Sequence, residues 1–325
     1  MSLIQIYAAG GAGINIIHAV EEELRGHEGF AELKVAYIDT SRSNTRSKNI
    51  SDSKTYIFEG VDGSGKKRDA NYKEISERSK EILLEFKPAD FNIVVHSTSG
   101  GSGSVIGPVL VSEMLNREIP LIVLTVGNKD SRAEIENTLN TIKSYQVISQ
   151  KKQKPVVMSY YENNADTPRN FVDKQVQMAT KIISAVFSGK NEELDRADLT
   201  NFLDFTKRST HEPTLARLDF YSGKVTLDRG QVVPSMVTLS RKGEDTSPGI
   251  PVDYQAVGFI TNEVENVINI DTPVHLVTVV GYYAQVIDSL NKELSAIDEI
   301  RKSVVTKAAI TNADLANATD DGLVL

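Results

Sequence analysis

Apolar runs and amphipathic stretches alternate through the first half of the chain. LIQIYAA (3–9), ELKVAYIDT (32–40), FNIVVHS (91–97), PLIVLTVGN (120–128) and KPVVMSYYEN (154–163) are short and almost wholly apolar, and KTYIFEG (54–60) is a briefer run of the same kind. Between them, GINIIHAVEEELRG (13–26), NYKEISERSKEILLEF (71–86), VIGPVLVSEML (105–115) and AEIENTLNTIKSYQVIS (133–149) predict helices. Apolar strands alternating with helices imply a parallel sheet covered on both faces, a doubly wound, Rossmann-like domain.

The pattern changes at TPRNFVDKQVQMATKIISAVFSG (167–189), a helix opened by Thr-Pro and closed by glycine. Its apolar positions cover most of the circumference, which predicts a central helix between two units. TLARLDFYSGKVTL, SMVTLSRKG, AVGFITN and PVHLVTVVG then read as strands of a smaller mixed α/β unit. The last helix carries Ile287, Leu290, Leu294, Ile297, Ile300 and Val304 on one face, and a polar tail follows. The expected organisation is residues 1–166, 167–189, 190–286 and 287–325.

Composition narrows the chemistry. With 325 residues, 40% hydrophobic and 25% charged, the chain has the make-up of an ordinary globular protein. A net charge of −8 argues against duplex nucleic acid as the main partner, because phosphate-backbone binding needs a basic footprint. It leaves nucleotides open, since backbone amides hold phosphate without net positive charge. The absence of cysteine excludes disulfides, thiolate metal sites and a cysteine nucleophile. No apolar run approaches the roughly 18 residues of a membrane span, and the opening stretch reads as a strand rather than a signal peptide. A soluble, cytoplasmic protein without membrane contact is expected.

Three loops fall at the carboxyl ends of predicted strands, where doubly wound sheets bind ligands: AAGGAGIN (8–15), EGVDGSGKKRDA (59–70) and STSGGSGS (97–104). The first and third run from strand into helix. Glycine amides at a helix amino terminus suit an oxyanion, and Ser99, Ser102 and Ser104 add hydroxyls. Either loop also reads as a tight turn that lets a helix pack closely on the sheet. Gly11-Ala12-Gly13-Ile14-Asn15-Ile16 is nearly a dinucleotide fingerprint with Asp39 as its ribose acid, but Ile16 stands where a small residue belongs. GVDGSGKK (60–67) is nearly a P-loop, with Lys67 in place of the metal-binding hydroxyl. Asp195 and Asp198, three apart at a helix start, read either as a helix cap or as paired catalytic carboxylates.

These features together resemble the tubulin/FtsZ superfamily. Ser99-Gly100-Gly101-Ser102-Gly103-Ser104 stands where that family has G-G-G-T-G-S-G; GGAGIN, DTSRSN (39–44) and Asn137-Thr138-Leu139 follow its order, and DRADLT supplies its DxxDL. The chain is most similar to the PhuZ-like bacteriophage tubulins. The resemblance covers nearly the whole chain and is weakest over 210–285. It implies a GTP-binding domain, a central helix, a smaller second domain, and a long carboxyl-terminal helix with an acidic tail. It further implies GTP or GDP with Mg²⁺ carried by the phosphates, and assembly into a homopolymeric filament. Phosphates would lie on Gly10, Gly11, Gly13, Asn15, Ser99, Gly100, Gly101, Ser102 and Gly103. Base and ribose would meet Asn163 (or Asn164), Phe171 and Gln175. Asp195 and Asp198 would complete hydrolysis on the next subunit's nucleotide. Asp314, Asp320, Asp321, Leu323 and Leu325 would make polymer contacts, and the filament would position phage DNA or its compartment in the host cytoplasm. Two other readings stay open: an NAD-dependent oxidoreductase using Gly11, Gly13 and Asp39, and a nucleotide-binding filament without hydrolysis.

Overall fold

The computed structural model describes residues 2–61, 68, 71–164, 166–268 and 273–308. Most of the 59–70 loop and the whole acidic tail, with Asp314, Asp320, Asp321, Leu323 and Leu325, lie outside the described residues. Six strands, β1 (Leu3–Ala9), β2 (Glu32–Asp39), β3 (Thr55–Ile57), β4 (Phe91–Ser97), β5 (Leu121–Asn128) and β6 (Val156–Asn163), form a parallel sheet ordered β3-β2-β1-β4-β5-β6. The order reverses between β1 and β4, the switch point where such sheets open a crevice at their carboxyl ends.

Side chains along β1 alternate between two cores, as the strand pleat requires. Ile4, Ile6 and Ala8 pack with α1 (Gly10–Leu24), α6 (Arg169–Val186) and α7 (Arg196–Leu203). Tyr7 and Ala9 pack on the other face with α3 (Tyr72–Glu85), α4 (Gly103–Asn116) and α5 (Arg132–Lys152). A one-turn α2 (Ser43–Arg46) follows β2. Two predicted boundaries move. α1 begins at Gly10 rather than 13, because the glycine loop is itself the first helical turn, entered with φ +70° at Gly10. α4 begins at Gly103, so its glycine loop also runs directly into the helix.

The second half extends the same sheet. β7 (Leu215–Ser222) pairs in parallel with β6, β10 (Val274–Val280) lies antiparallel between β7 and β8 (Val232–Ser240), and β9 (Gln255–Phe259) lies parallel to β8. α8 (Asn262–Val267) joins β9 to β10. One ten-stranded sheet therefore crosses the boundaries drawn from sequence. α6 is buried on all sides from Ala179 to Val186 and one-sided before that.

The last helix, α9 (Tyr282–Ala308), crosses α5. Leu290 is buried, and Ile287, Leu294 and Ile297 pack beside it. Lys129–Glu293 (2.9 Å) and Arg132–Asp298 (3.0 Å) ion pairs flank this seam. Ile300, expected on the same face, is 63% exposed, so the seam ends at Ile297.

Candidate functional site

A cleft of about 610 Å³ opens at the carboxyl ends of β1, β2, β4, β5 and β6. Gly10, Gly11, Ser99, Gly100, Gly101, Ser102 and Gly103 form its floor, and Asn163 lines it beyond β6. The two glycine loops lie back to back: a Cβ on Gly10 would be 3.0 Å from the Gly103 nitrogen, and one on Gly103 would be 3.0 Å from the Ala9 carbonyl oxygen. Side chains here would push the two helix amino termini apart, so glycine brings two sets of amides to one place.

Hydrogen bonding sorts the polar groups of the loop. Ser97 Oγ accepts the amides of Ser99 and Gly100, each at 3.2 Å. The amides of Gly101, Ser102 and Gly103 meet no protein acceptor among the described residues and are the ones free for an oxyanion. Asn137 Nδ2 donates to the Ser99 carbonyl (3.1 Å), and the Thr98 amide to that of Val126 (2.8 Å), which stiffens the loop from below. Ser102 Oγ bonds Thr40 Oγ1 at 2.7 Å, tying the loop to the end of β2. Ser104 is not a ligand group: it is fully buried and its hydroxyl donates to the Gly101 carbonyl at 3.0 Å.

Several expected ligands sit elsewhere. Gly13 does not line the cleft; its missing Cβ lets α1 lie against β4, where a Cβ would be 2.3 Å from the Val95 carbonyl oxygen. Its role is the close-packing one. Asn15, two residues further along α1, is also outside the cleft. Phe171, 53% exposed, and the exposed Gln175 lie on the outer stripe of α6, whereas Arg169, Val172 and Asp173 line the cleft. At about 100° per residue, 169, 172 and 173 share one face and 171 and 175 the opposite one. Asn163 stands differently: it lines the cleft, and among the described residues its Oδ1 is buried with no hydrogen-bond partner.

Asn128, Asp130, Glu134, Arg169 and Asp173 were not singled out from sequence; the first two lie at the carboxyl end of β5, where the strand-end rule points to them. Four carboxylates, Asp39, Asp130, Glu134 and Asp173, thus line a cleft whose floor presents backbone amides. Burial raises the Asp39 pKa, opposed by hydrogen bonds from Asn44 (2.8 Å) and the amide of Thr40 (2.7 Å), and burial also raises that of Asp173. Such acceptors suit hydroxyl and amino donors rather than phosphate. Among the described residues, no group of three or more His, Asp or Glu is arranged to hold a metal ion.

Asp195 and Asp198 are absent from the cleft. They form a reciprocal capping box on α7: the Asp198 amide donates to Asp195 Oδ1 (2.9 Å) and the Asp195 amide to Asp198 Oδ2 (3.2 Å). Arg196, between them, pairs with Asp90 at 3.1 Å. Asp90 precedes β4 and Ser97 ends it, so the length of a seven-residue strand, about 20 Å, separates the acids from the cleft floor.

No family model matches the chain. It is 26% identical over 323 residues, 99% of its length, to a phage tubulin-like protein of Pseudomonas phage PhiPA3, of which it covers 98%. Among solved structures it superposes on a GDP complex of the phage tubulin PhuZ with a TM-score of 0.82 at 20% identity, covering 99% of each chain. It also superposes on a protofilament of TubZ from bacteriophage PhiKZ with a TM-score of 0.76 at 25% identity, covering 99% of this chain and 95% of that one.

Proposed function

We propose, for this phage tubulin-like chain of the tubulin/FtsZ superfamily, that it is a cytoskeletal GTPase assembling head to tail, its hydrolytic site completed between subunits. The observation that carries this reading is the separation just described. The oxyanion floor and the acidic pair lie at opposite ends of β4, so one molecule holds both halves of a site without joining them. Stacking one copy on the next brings the halves together.

In this reading the amides of Gly101, Ser102 and Gly103 hold the terminal phosphates, and Mg²⁺ carried by those phosphates would offset their charge. Asn163 Oδ1 accepts from the guanine edge, and the carboxylates around the cleft accept from the ribose. Asp195 and Asp198 of the next subunit orient the attacking water in line with the γ-phosphate, where fixed donors meet the developing charge. Turnover is slow in the monomer and rises with assembly. The acidic tail docks on a neighbouring subunit; a groove between α3, α4 and α5 offers Lys80, Lys143, Lys151 and Lys152 as complementary charge. The filament's task, by the phage resemblance, is to position viral DNA or its compartment in the host cytoplasm.

Phosphate release from GTP, read with light scattering as protein concentration rises, tests the proposal. Turnover should appear only above a threshold, together with scattering. Turnover linear in protein without scattering would overturn the shared site. Asp198→Ala should still polymerise while losing about 10²–10⁴-fold in turnover; wild-type turnover by its filaments would remove Asp198 from the mechanism.

A further inference from the structure

Tyr254, the residue just before β9, reaches the first turn of α7, and its hydroxyl donates to Asp198 Oδ1 at 2.6 Å. The other oxygen, Oδ2, already accepts the Asp195 amide at 3.2 Å, so both oxygens of Asp198 are held. Asp195 differs: one oxygen caps the helix, and the residue is exposed. The capping box accounts for Asp195 and for half of Asp198. It gives no reason for a phenol from another part of the fold.

Tyr254 is itself fixed. Its carbonyl accepts the Met236 amide at 2.8 Å, which pins its backbone to β8, and its ring packs half-buried against the core that α6 and α7 share. At the far end of α7, Ser235 Oγ on β8 donates to the Phe202 carbonyl at 2.8 Å. The helix carrying the acidic pair is therefore tied at both ends to the β8–β9 part of the sheet.

We propose that Tyr254 is the positioning residue for Asp198 in GTP hydrolysis, holding its carboxylate in one orientation before the next subunit's nucleotide arrives. The inference rests on the trans-completed site proposed above. Tyr254 acts only through Asp198. Each carboxylate oxygen retains a second lone pair, so the tyrosine and the attacking water are served at once. Because a small misplacement of a positioned group lowers the rate steeply, loss of the hydroxyl alone should reduce turnover roughly 10-fold.

The test is Tyr254→Phe, which keeps the ring in its packing and removes only the hydrogen bond, measured in full-length filaments with GTP. The expected result is a turnover about 10-fold lower at an unchanged critical concentration, with the thermal midpoint lowered by only about 1–2 °C, the loss of one hydrogen bond in a chain of this length. Tyr254→Phe/Asp198→Ala should turn over no more slowly than Asp198→Ala, since the tyrosine has no other route to the chemistry. Wild-type turnover in Tyr254→Phe, a raised critical concentration or a midpoint lowered well beyond the loss of one hydrogen bond, or a further fall in the double variant would each overturn the proposal. Failure of the underlying reading looks different: Asp198→Ala alone would then hydrolyse GTP at the wild-type rate.

Discussion

Gly13 and Gly100 both belong to strand-to-helix glycine loops, yet they lack a side chain for opposite reasons. A Cβ on Gly13 would stand 2.3 Å from the Val95 carbonyl oxygen, against about 3.4 Å for an ordinary contact, so α1 and β4 would have to part by 3.4 − 2.3 = 1.1 Å. Both obstacles nearby, the Val95 and Ala8 carbonyls, are backbone in a parallel sheet and have no rotamer to change. Overpacking of this kind costs about 3 kcal/mol, at the upper end of its usual range. Alanine returns about 1 kcal/mol of helix propensity. The net loss of about 2 kcal/mol, set against an unfolding entropy of about 2 cal/mol/K per residue over 325 residues, should lower the melting temperature of Gly13→Ala by about 3 °C. For Gly100→Ala the nearest atom is Ser97 Cβ at 3.6 Å, an ordinary contact. Its stability should stay within about 0.5 kcal/mol of wild type, while in the proposed reading the methyl would occupy space a phosphate oxygen needs. Thermal melts with and without GTP separate the two: Gly13→Ala starts lower and keeps its nucleotide-induced rise, whereas Gly100→Ala starts level and loses it. A Gly13→Ala protein as stable as wild type, or an equal drop for Gly100→Ala, would refute this reasoning.

Asn163→Ala removes a buried acceptor without a partner, so the nucleotide-free protein should lose little stability while GTP affinity falls about 10-fold; unchanged affinity in a competition titration would exclude Asn163 from base recognition. His96 is buried, its ring bonded to Tyr145 OH (2.6 Å) and the Ser97 carbonyl (3.0 Å), and burial pulls its pKa from 6.5 down to about 4. Between those values the unfolded chain binds the proton and the folded one does not, so this group's contribution, about 3 kcal/mol, is present above pH 6.5 and lost as pH falls toward 4. Urea midpoints at pH 7 and pH 4.5 should differ less for His96→Gln than for wild type; an equally large fall would show that other groups govern acid sensitivity. Truncation after Asn312 should raise the critical concentration sharply, and sedimentation with GTP identical to the full-length chain would rule out tail docking.

Local pattern determined much of this protein. Short apolar runs such as LIQIYAA and FNIVVHS, alternating with amphipathic stretches, read as buried strands, and the glycine runs that follow them lead into helices, so the doubly wound sheet and the position of its ligand cleft were legible from residue order. The DxxDL motif was legible too, though spacing alone favoured a cap, and the structure forms that cap in full. What the tertiary structure decided are matters of direction and distance. Phe171 and Gln175 have the right spacing for a base site but lie on the outer stripe of α6, away from the residues that line the cleft, because facing is set by how the helix seats on α1 and the sheet. Gly11 and Gly13 look alike in sequence, yet one lines the cleft and the other meets β4, because alternate helix positions face different neighbours. The second group of strands joined the first in a single sheet through three residues of β6, a pairing no local pattern encodes. Tyr254 carries no motif at all; only the packing of β8 and β9 against α7 brings its hydroxyl, 56 residues along the chain, to Asp198.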